Sequence, residues 1–311
     1  MSYFDIIRPL LDHKFLSEDL LINEPMSRHT SFRVGGPAEI LVRPKTTDGL
    51  AKIWDICRKH NIPLTIFGDG TNVLVADAGL KGIVVSTNKM NIIKLCKNNR
   101  IYAQAGARLS KVAEVACKAG LAGFEFASGI PGTVGGAVYM NAGAYEHDIG
   151  EFCESVTLLK DDIFTKQGTE MGFGYRKSIA QQDSMLVLEA IFQLSPGKED
   201  DIRAKMTELN NRRRQSQPLD FPSAGSTFKR PTGHFAGKLI QDSGLKGFAV
   251  GGAQVSEKHA GFVINTGNAT AQDIFDLIVT VRRHVHEKYN VWLEPEIKLL
   301  GFNAEHDVFN V

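Results

Sequence analysis

The chain has 311 residues, with 36 Lys plus Arg against 35 Asp plus Glu and a formal net charge of +1. So even a balance gives no electrostatic argument for nucleic acid or an anionic membrane surface, and any bound anion must be held locally. The length suits about two domains, no run approaches the ~20 apolar residues of a membrane span, and the start "MSYFDIIRPLLDHKF", charged throughout, does not read as a signal peptide. The expectation is a soluble cytoplasmic protein. Cys57, Cys96, Cys117 and Cys153 are widely spaced with no CxxC pair, which suits reduced thiols better than a zinc site or disulfides.

In chain order, "GLAKIWDICRKH" at 49–60 puts Leu50, Ile53, Trp54 and Cys57 on one helical face, and Pro63 ends the pattern. "IPLTIFGDG" reads as a buried strand entering a turn. Strands follow at "GIVVST" and "RIYAQAG", where β-branched residues cluster between glycines. "LSKVAEVACKAG" is an amphipathic helix with Leu109, Val112, Ala113, Ala116 and Cys117 inward and Gly120 at its end. After a glycine-rich stretch come strands at "SVTLLK" and "MLVLEAIFQLSPG". From Glu199 the chain becomes a charged helix that Pro218 closes. Residues 272–290 give the strongest helical pattern, with Ile274, Leu277, Ile278, Val281 and Val285 in phase, and "VWLEPEIKLLG" reads as a final strand. His284 and His286 stand two apart on that helix, on different faces, so a metal pair is not expected. The fold class is α+β, with a boundary near 198.

Glycine admits close approach to the main chain, and successive backbone N–H groups in turns can cradle phosphate. Two loops have this character. "GDGTNVLV" at 68–75 follows a strand, but Val73 replaces the third glycine of a dinucleotide fingerprint and no P-loop lysine is present. "GIPGTVGGAVYMNAGA" has glycines at 129, 132, 135, 136 and 143. Either loop alone is an ordinary glycine turn; two in one domain, each beside a strand, suggest a diphosphate ligand lying between them.

Further on, "SAGSTFKRP" places Ser226 after glycine and before Lys229 and Arg230, and "FGYRKS" sets Arg176 beside Tyr175. No G-x-S-x-G elbow accompanies Ser226, so an acyl-enzyme is unsupported, although its hydroxyl can donate a proton. In "LEPEIKLLG", alternation puts Leu293, Ile297 and Leu299 on one face and Glu294 with Glu296 on the other. Paired carboxylates of this kind are commonly solvated; the alternative is that one enters a cleft.

Taken in order, "HTSFRVGGPAE", "GDGTNVLV", "GIPGTVGGAVYMNAGAYE", "GYRKS", "AGSTFKRP" and "LEPEIKLLG" resemble the UDP-N-acetylenolpyruvoylglucosamine reductase (MurB) family from about residue 27 to 301. The resemblance implies an FAD-binding region at 1–197, of the vanillyl-alcohol-oxidase/PCMH type with a core of two α+β subdomains at 33–197, and a smaller C-terminal α+β substrate domain at 198–311. It implies non-covalent FAD along Gly68, Asp69, Gly70, Thr71, Asn72 and Val73, along Gly129, Ile130, Pro131, Gly132, Thr133, Gly135 and Gly136, and along Asn141, Ala142 and Gly143. NADPH would donate a hydride to the flavin, and the enolpyruvyl UDP-sugar would receive it at its β-carbon during peptidoglycan precursor synthesis. The family's arginine falls on Arg176, its serine on Ser226 and its glutamate on Glu296. Arg176 and Glu296 would stabilise the enolate-like intermediate, the glutamate as a donor if protonated, and Ser226 would protonate the α-carbon.

Substrate contacts would come from Tyr175, Lys229, Arg230 and Arg214. Only "IAQQDS" separates "GYRKS" from "MLVLEA", which is similar to the shorter subclass without the tyrosine-bearing insertion that closes over UDP; Arg212, Arg213 and Arg214 are candidates for the diphosphate, as an alternative to a solvated helix end. Two other functions share the glycine loops: an FAD-dependent oxidase or dehydrogenase of the same fold class, which has no need of the Arg176, Ser226 and Glu296 set, and a nucleotide-binding module without catalysis.

Overall fold

The structure is a computed structural model that describes residues 3–4 and 20–302. The N-terminal stretch judged above against a signal peptide lies, but for residues 3–4, outside the described residues. The chain divides into two compact units that are not contiguous in sequence: residues 42–69 with 85–213, and residues 21–41 with 70–84 and 214–302.

The first unit is built on a five-stranded antiparallel sheet in the order Ile163–Gln167, Cys153–Leu159, Leu186–Gln193, Arg100–Gln104, Ile93–Cys96. Its middle strand reads as a nearly unbroken apolar run because both faces are covered: Leu186, Val187, Leu188, Ala190 and Phe192 are all buried. Against the Ile93–Cys96 and Arg100–Gln104 side of the sheet packs the helix Leu109–Lys118, whose buried residues are the five that periodicity selected. Phe124 packs on Phe192 with ring centroids 4.9 Å apart, and Phe126 stacks on Phe152 at 5.7 Å. Each such ring withdraws enough apolar surface to stabilise the unit by about 1.5–3 kcal/mol. The helix Thr47–Lys59 is capped by the Thr46 hydroxyl, which accepts from Gly49 N. Trp54, predicted inward with Leu50, Ile53 and Cys57, is only partly buried; its indole N–H donates to the Lys160 carbonyl at 2.7 Å.

The second unit has neighbouring strands Leu20–Pro25, Pro37–Val42 and Leu80–Ser86, a three-stranded antiparallel sheet of Ala249–Val250, Ala253–Val255 and Val263–Asn265, and a parallel pair, Val73–Val75 with Lys298–Leu300. Its core is organised by the helix Ala271–Tyr289, which buries Ile274, Leu277, Ile278, Val281 and Val285. Thr270 and Asp273 form a reciprocal capping box, and the next two free amides, Ala271 N and Gln272 N, donate to the Asp77 carboxylate at 2.9 and 3.0 Å. Asn290 in the left-handed region, φ 54°, ends the helix.

Two elements differ from the sequence expectation. The terminal strand spans only Lys298–Leu300, because Pro295 has no N–H for a ladder; upstream it forms a single bridge with Phe228. Within the glycine-rich stretch, Val134–Met140 is a short helix, which glycine propensity opposes. Tertiary bonds hold its start: Val134 N donates to Ala107 O and Gly135 N to Ala105 O, both at 2.8 Å. Among the described residues no helix is long and apolar enough to cross a membrane, and no group of three or more His, Cys, Asp or Glu could hold a metal. All four cysteines are free.

Candidate functional site

In the first unit the two glycine loops meet. A Cβ on Gly68 would stand 2.2 Å from Thr133 Oγ1, so only glycine lets the two segments touch. Asp69 Oδ2 pairs with Arg108 Nε at 3.1 Å, Arg108 bridges Thr133, and Leu109 N donates to Gly132 O. Thr133 is buried, and its hydroxyl has no hydrogen-bond partner. Gly136 lies exposed on the short helix, and a Cβ there would meet nothing within 4 Å. An exposed glycine with open space over its Cα, beside a buried hydroxyl without a partner, fits the close approach of a dinucleotide such as FAD.

The remaining glycines answer mainly to neighbouring chain. Gly135 packs against Ala105, Gly129 leaves room for Asn210 Oδ1, and Gly143 sits against His147 O. Gly70, which belongs to the second unit, has φ 64°, and a Cβ there would fall 2.0 Å from His29 O.

Arg176 stands in a tight turn. Gly174 and Lys177 exchange both backbone hydrogen bonds at 3.1 Å, leaving Tyr175 and Arg176 as the central residues. Arg176 has φ 54°, a conformation that turns usually assign to glycine or asparagine. Its guanidinium lies 5.0 Å from the Tyr175 ring, and Nη2 donates to Gly143 O at 3.3 Å. The arginine is thus delivered to the segment that follows the short glycine-loop helix, Asn141 to Gly143.

In the second unit Ser226 and Glu296 come from adjacent extended segments. Glu296 N donates to Thr227 O and Lys229 N to Glu294 O, both at 2.8 Å, while Thr227 N donates to Gly261 O. Thr227 is buried and Ser226 exposed. Asn72 joins the same corner: its Nδ2 donates to Glu296 O at 3.2 Å, and its carbonyl accepts from Lys298 N. Asn72 of the expected flavin loop is therefore tied to the segment that carries Glu296, by its side-chain amide to Glu296 O and by its carbonyl to Lys298 N. Of the two carboxylates, Glu294 is exposed and pairs with Lys229, whereas Glu296 is half-buried.

Arg230 is exposed over the Phe235 ring at 4.5 Å, and Tyr175 is exposed. Arg214 is exposed; its carbonyl accepts from Lys258 Nζ. Within the arginine run, Arg213 is the one against the glycine loop: a Cβ on Gly129 would lie 3.3 Å from its Cδ, and burial holds its guanidinium below the usual pKa. Helical phase could have singled it out, since Asn210, three residues earlier, faces the same loop. Lys298 was also missed. It is half-buried, and burial followed by the nearby Lys229 lowers its pKa, against the opposing pull of Glu294 and Glu296. The alternation that grouped Glu294 with Glu296 includes it.

Two family models match the chain: an FAD binding domain over residues 38–162 and the UDP-N-acetylenolpyruvoylglucosamine reductase C-terminal domain over 217–300. The chain is 50% identical over 284 residues to UDP-N-acetylenolpyruvoylglucosamine reductase of Caldanaerobacter subterraneus subsp. tengcongensis, covering 91% of this chain and 94% of that one. It is 48% identical to the enzyme of that name from Clostridium perfringens over 94% of this chain and 96% of the relative. Among solved structures, UDP-N-acetylenolpyruvylglucosamine reductase from Thermus caldophilus matches with a TM-score of 0.76 at 32% identity, covering 91% of this chain and 98% of that one. On these grounds the chain belongs to the UDP-N-acetylenolpyruvoylglucosamine reductase family.

Proposed function

We infer that the chain reduces UDP-N-acetylenolpyruvoylglucosamine to UDP-N-acetylmuramate, an FAD-dependent, NADPH-driven step in making peptidoglycan precursor. Family membership across more than nine-tenths of the chain supports the reaction. The observation that carries the catalytic assignment is the hydrogen-bonded junction of the Ser226 segment, Glu296 and Asn72. FAD would be held by Gly68 to Val73, by Gly129 to Gly136 and by the main chain of Asn141 to Gly143. Bound there, FAD would supply two-electron chemistry between NADPH and the β-carbon of the enolpyruvyl ether.

The residues manage the charge and the proton that accompany this transfer. As the β-carbon gains a hydride, negative charge builds on the α-carbon and its carboxylate. The Arg176 guanidinium is a fixed cation for that charge, a kind of preorganised electrostatic stabilisation worth about 3 to 4 kcal/mol per donor. Glu296, in its protonated form only, donates a hydrogen bond to the same carboxylate. Ser226 gives its hydroxyl proton to the α-carbon, completing addition across the double bond, and the transient alkoxide is eased by nearby Lys229 and Lys298 before water restores the proton. Tyr175, Arg230 and Arg214 are assigned to the UDP-sugar, joined by Arg213 from the buried side of its helix. Residues 1–197 carry the cofactor and 198–311 the substrate in this reading, and NADPH and nucleotide sugars as reactants assign the work to the cytoplasm.

Ser226→Ala tests the assignment. Flavin reduction by NADPH should stay nearly intact while flavin reoxidation by the enolpyruvyl substrate collapses, by about 100-fold or more. Equal losses in both half-reactions would remove Ser226 from the proton step.

A further inference from the structure

We infer that Asn141 is a positioning residue for the substrate half of the reaction: its side-chain amide fixes the turn that presents Arg176. This rests on the catalytic assignment of Arg176 above. Asn141 closes the short helix in the left-handed region, φ 44° and ψ 61°, and is 1% exposed. Both ends of its amide are engaged away from the solvent face. Nδ2 donates to Gly174 O at 3.0 Å, and Oδ1 accepts from Gly150 N at 2.9 Å.

Gly174 is the first residue of the turn that carries Arg176. Three side chains therefore join residues 139–143 to residues 174–178: Asn141 to Gly174 O, Arg176 to Gly143 O, and Ser178 Oγ to Tyr139 O at 2.7 Å. Arginine at φ 54° is disfavoured by sterics and persists where its surroundings over-determine it. Of the three tethers, Asn141 and Ser178 are buried, and Asn141 is the buried one that bonds the turn's own first carbonyl, Gly174 O. Asparagine is suited to this place because it tolerates the left-handed helix end and offers one donor and one acceptor from a planar group.

The test uses the FAD-loaded full chain with Asn141→Asp, which keeps size and the acceptor for Gly150 N but sets an oxygen against the Gly174 carbonyl. Expected, with both rates expressed per bound flavin, is substrate-dependent reoxidation slower by about 10- to 100-fold, the scale of a misplaced catalytic group, and a clearly smaller loss in reduction by NADPH. In an Arg176→Lys background the same change should cost little more, because both act through one contact. Unaffected reoxidation, equal loss in both half-reactions, or additive losses would overturn the inference. Asn141→Gly, which keeps the left-handed conformation, is the second variant if the aspartate fails to fold; failure of both would also overturn it, making the amide a requirement of folding. Should Arg176→Lys alone leave reoxidation intact, it is the assignment of Arg176 that falls.

Discussion

Arg176 occupies a turn position where glycine would fit without strain, so its proposed role and local stability pull in opposite directions there. Arg176→Gly should fold with a stability within about 1 kcal/mol of the parent, the relief of left-handed strain offsetting the extra freedom of glycine in the unfolded chain. Denaturant titration reads that, and reoxidation by substrate should be lost in the same variant. A large loss of stability would mean that the guanidinium is a structural member. Gly68 gives the opposite case. Gly68→Ala forces a Cβ to within 2.2 Å of Thr133 Oγ1; the protein should lose about 1–3 kcal/mol and retain less flavin on gel filtration. Thr133→Ala in the same chain should restore the stability. The motif residues were legible because each carries unusual chemistry at a recognisable spacing. Asn141 was legible only as one of a glycine loop's neighbours, since what it does depends on Gly150 and Gly174, which no local pattern connects to it.

At the scale of elements, helical periodicity located the long helices because burying one face dominates their stability. It failed at Val134–Met140, whose residues have poor helix propensity and whose first turn is fixed by Ala105 and Ala107 from elsewhere. The segment around Gly261 shows how an element can be tuned. His259 Nδ1 accepts from Gly261 N at 3.0 Å, Gly261 O accepts from Thr227 N, and the ring packs edge-on to Phe262. Burial first, with Lys246 adding to it, holds this imidazole below the ordinary histidine pKa. A depressed folded value means that the unfolded chain takes the proton first, so the stability contribution is complete above the ordinary value, about 6.5, and is lost as pH falls from there toward the folded one. Between about pH 7.5 and about pH 5.5 the denaturant midpoint should drop, and His259→Asn, which keeps an acceptor without a proton to gain, should drop less. Equal slopes in the two proteins would show that His259 plays no part.

At the scale of the whole molecule, a balanced charge and 43% hydrophobic residues are ordinary for a chain of this length that buries sizeable cores. Composition could not show that residues 21–41 and 70–84 pack with the C-terminal segment, because packing between distant segments leaves no mark on it. The cysteines behave as a set: Cys57 and Cys153 are buried, and desolvation pushes their pKa values up to about 11 and about 12, while Cys96 is exposed. A thiol reagent near neutral pH should label one residue per folded chain, Cys96, and labelling of the others without denaturant would contradict the burial. The central claim is that one site handles both halves of an electron transfer, from NADPH to flavin and from flavin to an enolpyruvyl ether. Its most direct measurement is anaerobic: the yellow protein is bleached with one equivalent of NADPH and then mixed with UDP-N-acetylenolpyruvoylglucosamine. Full return of the flavin absorbance without oxygen is the predicted result; a protein that stays bleached until air is admitted would be an oxidase, and the account would be wrong.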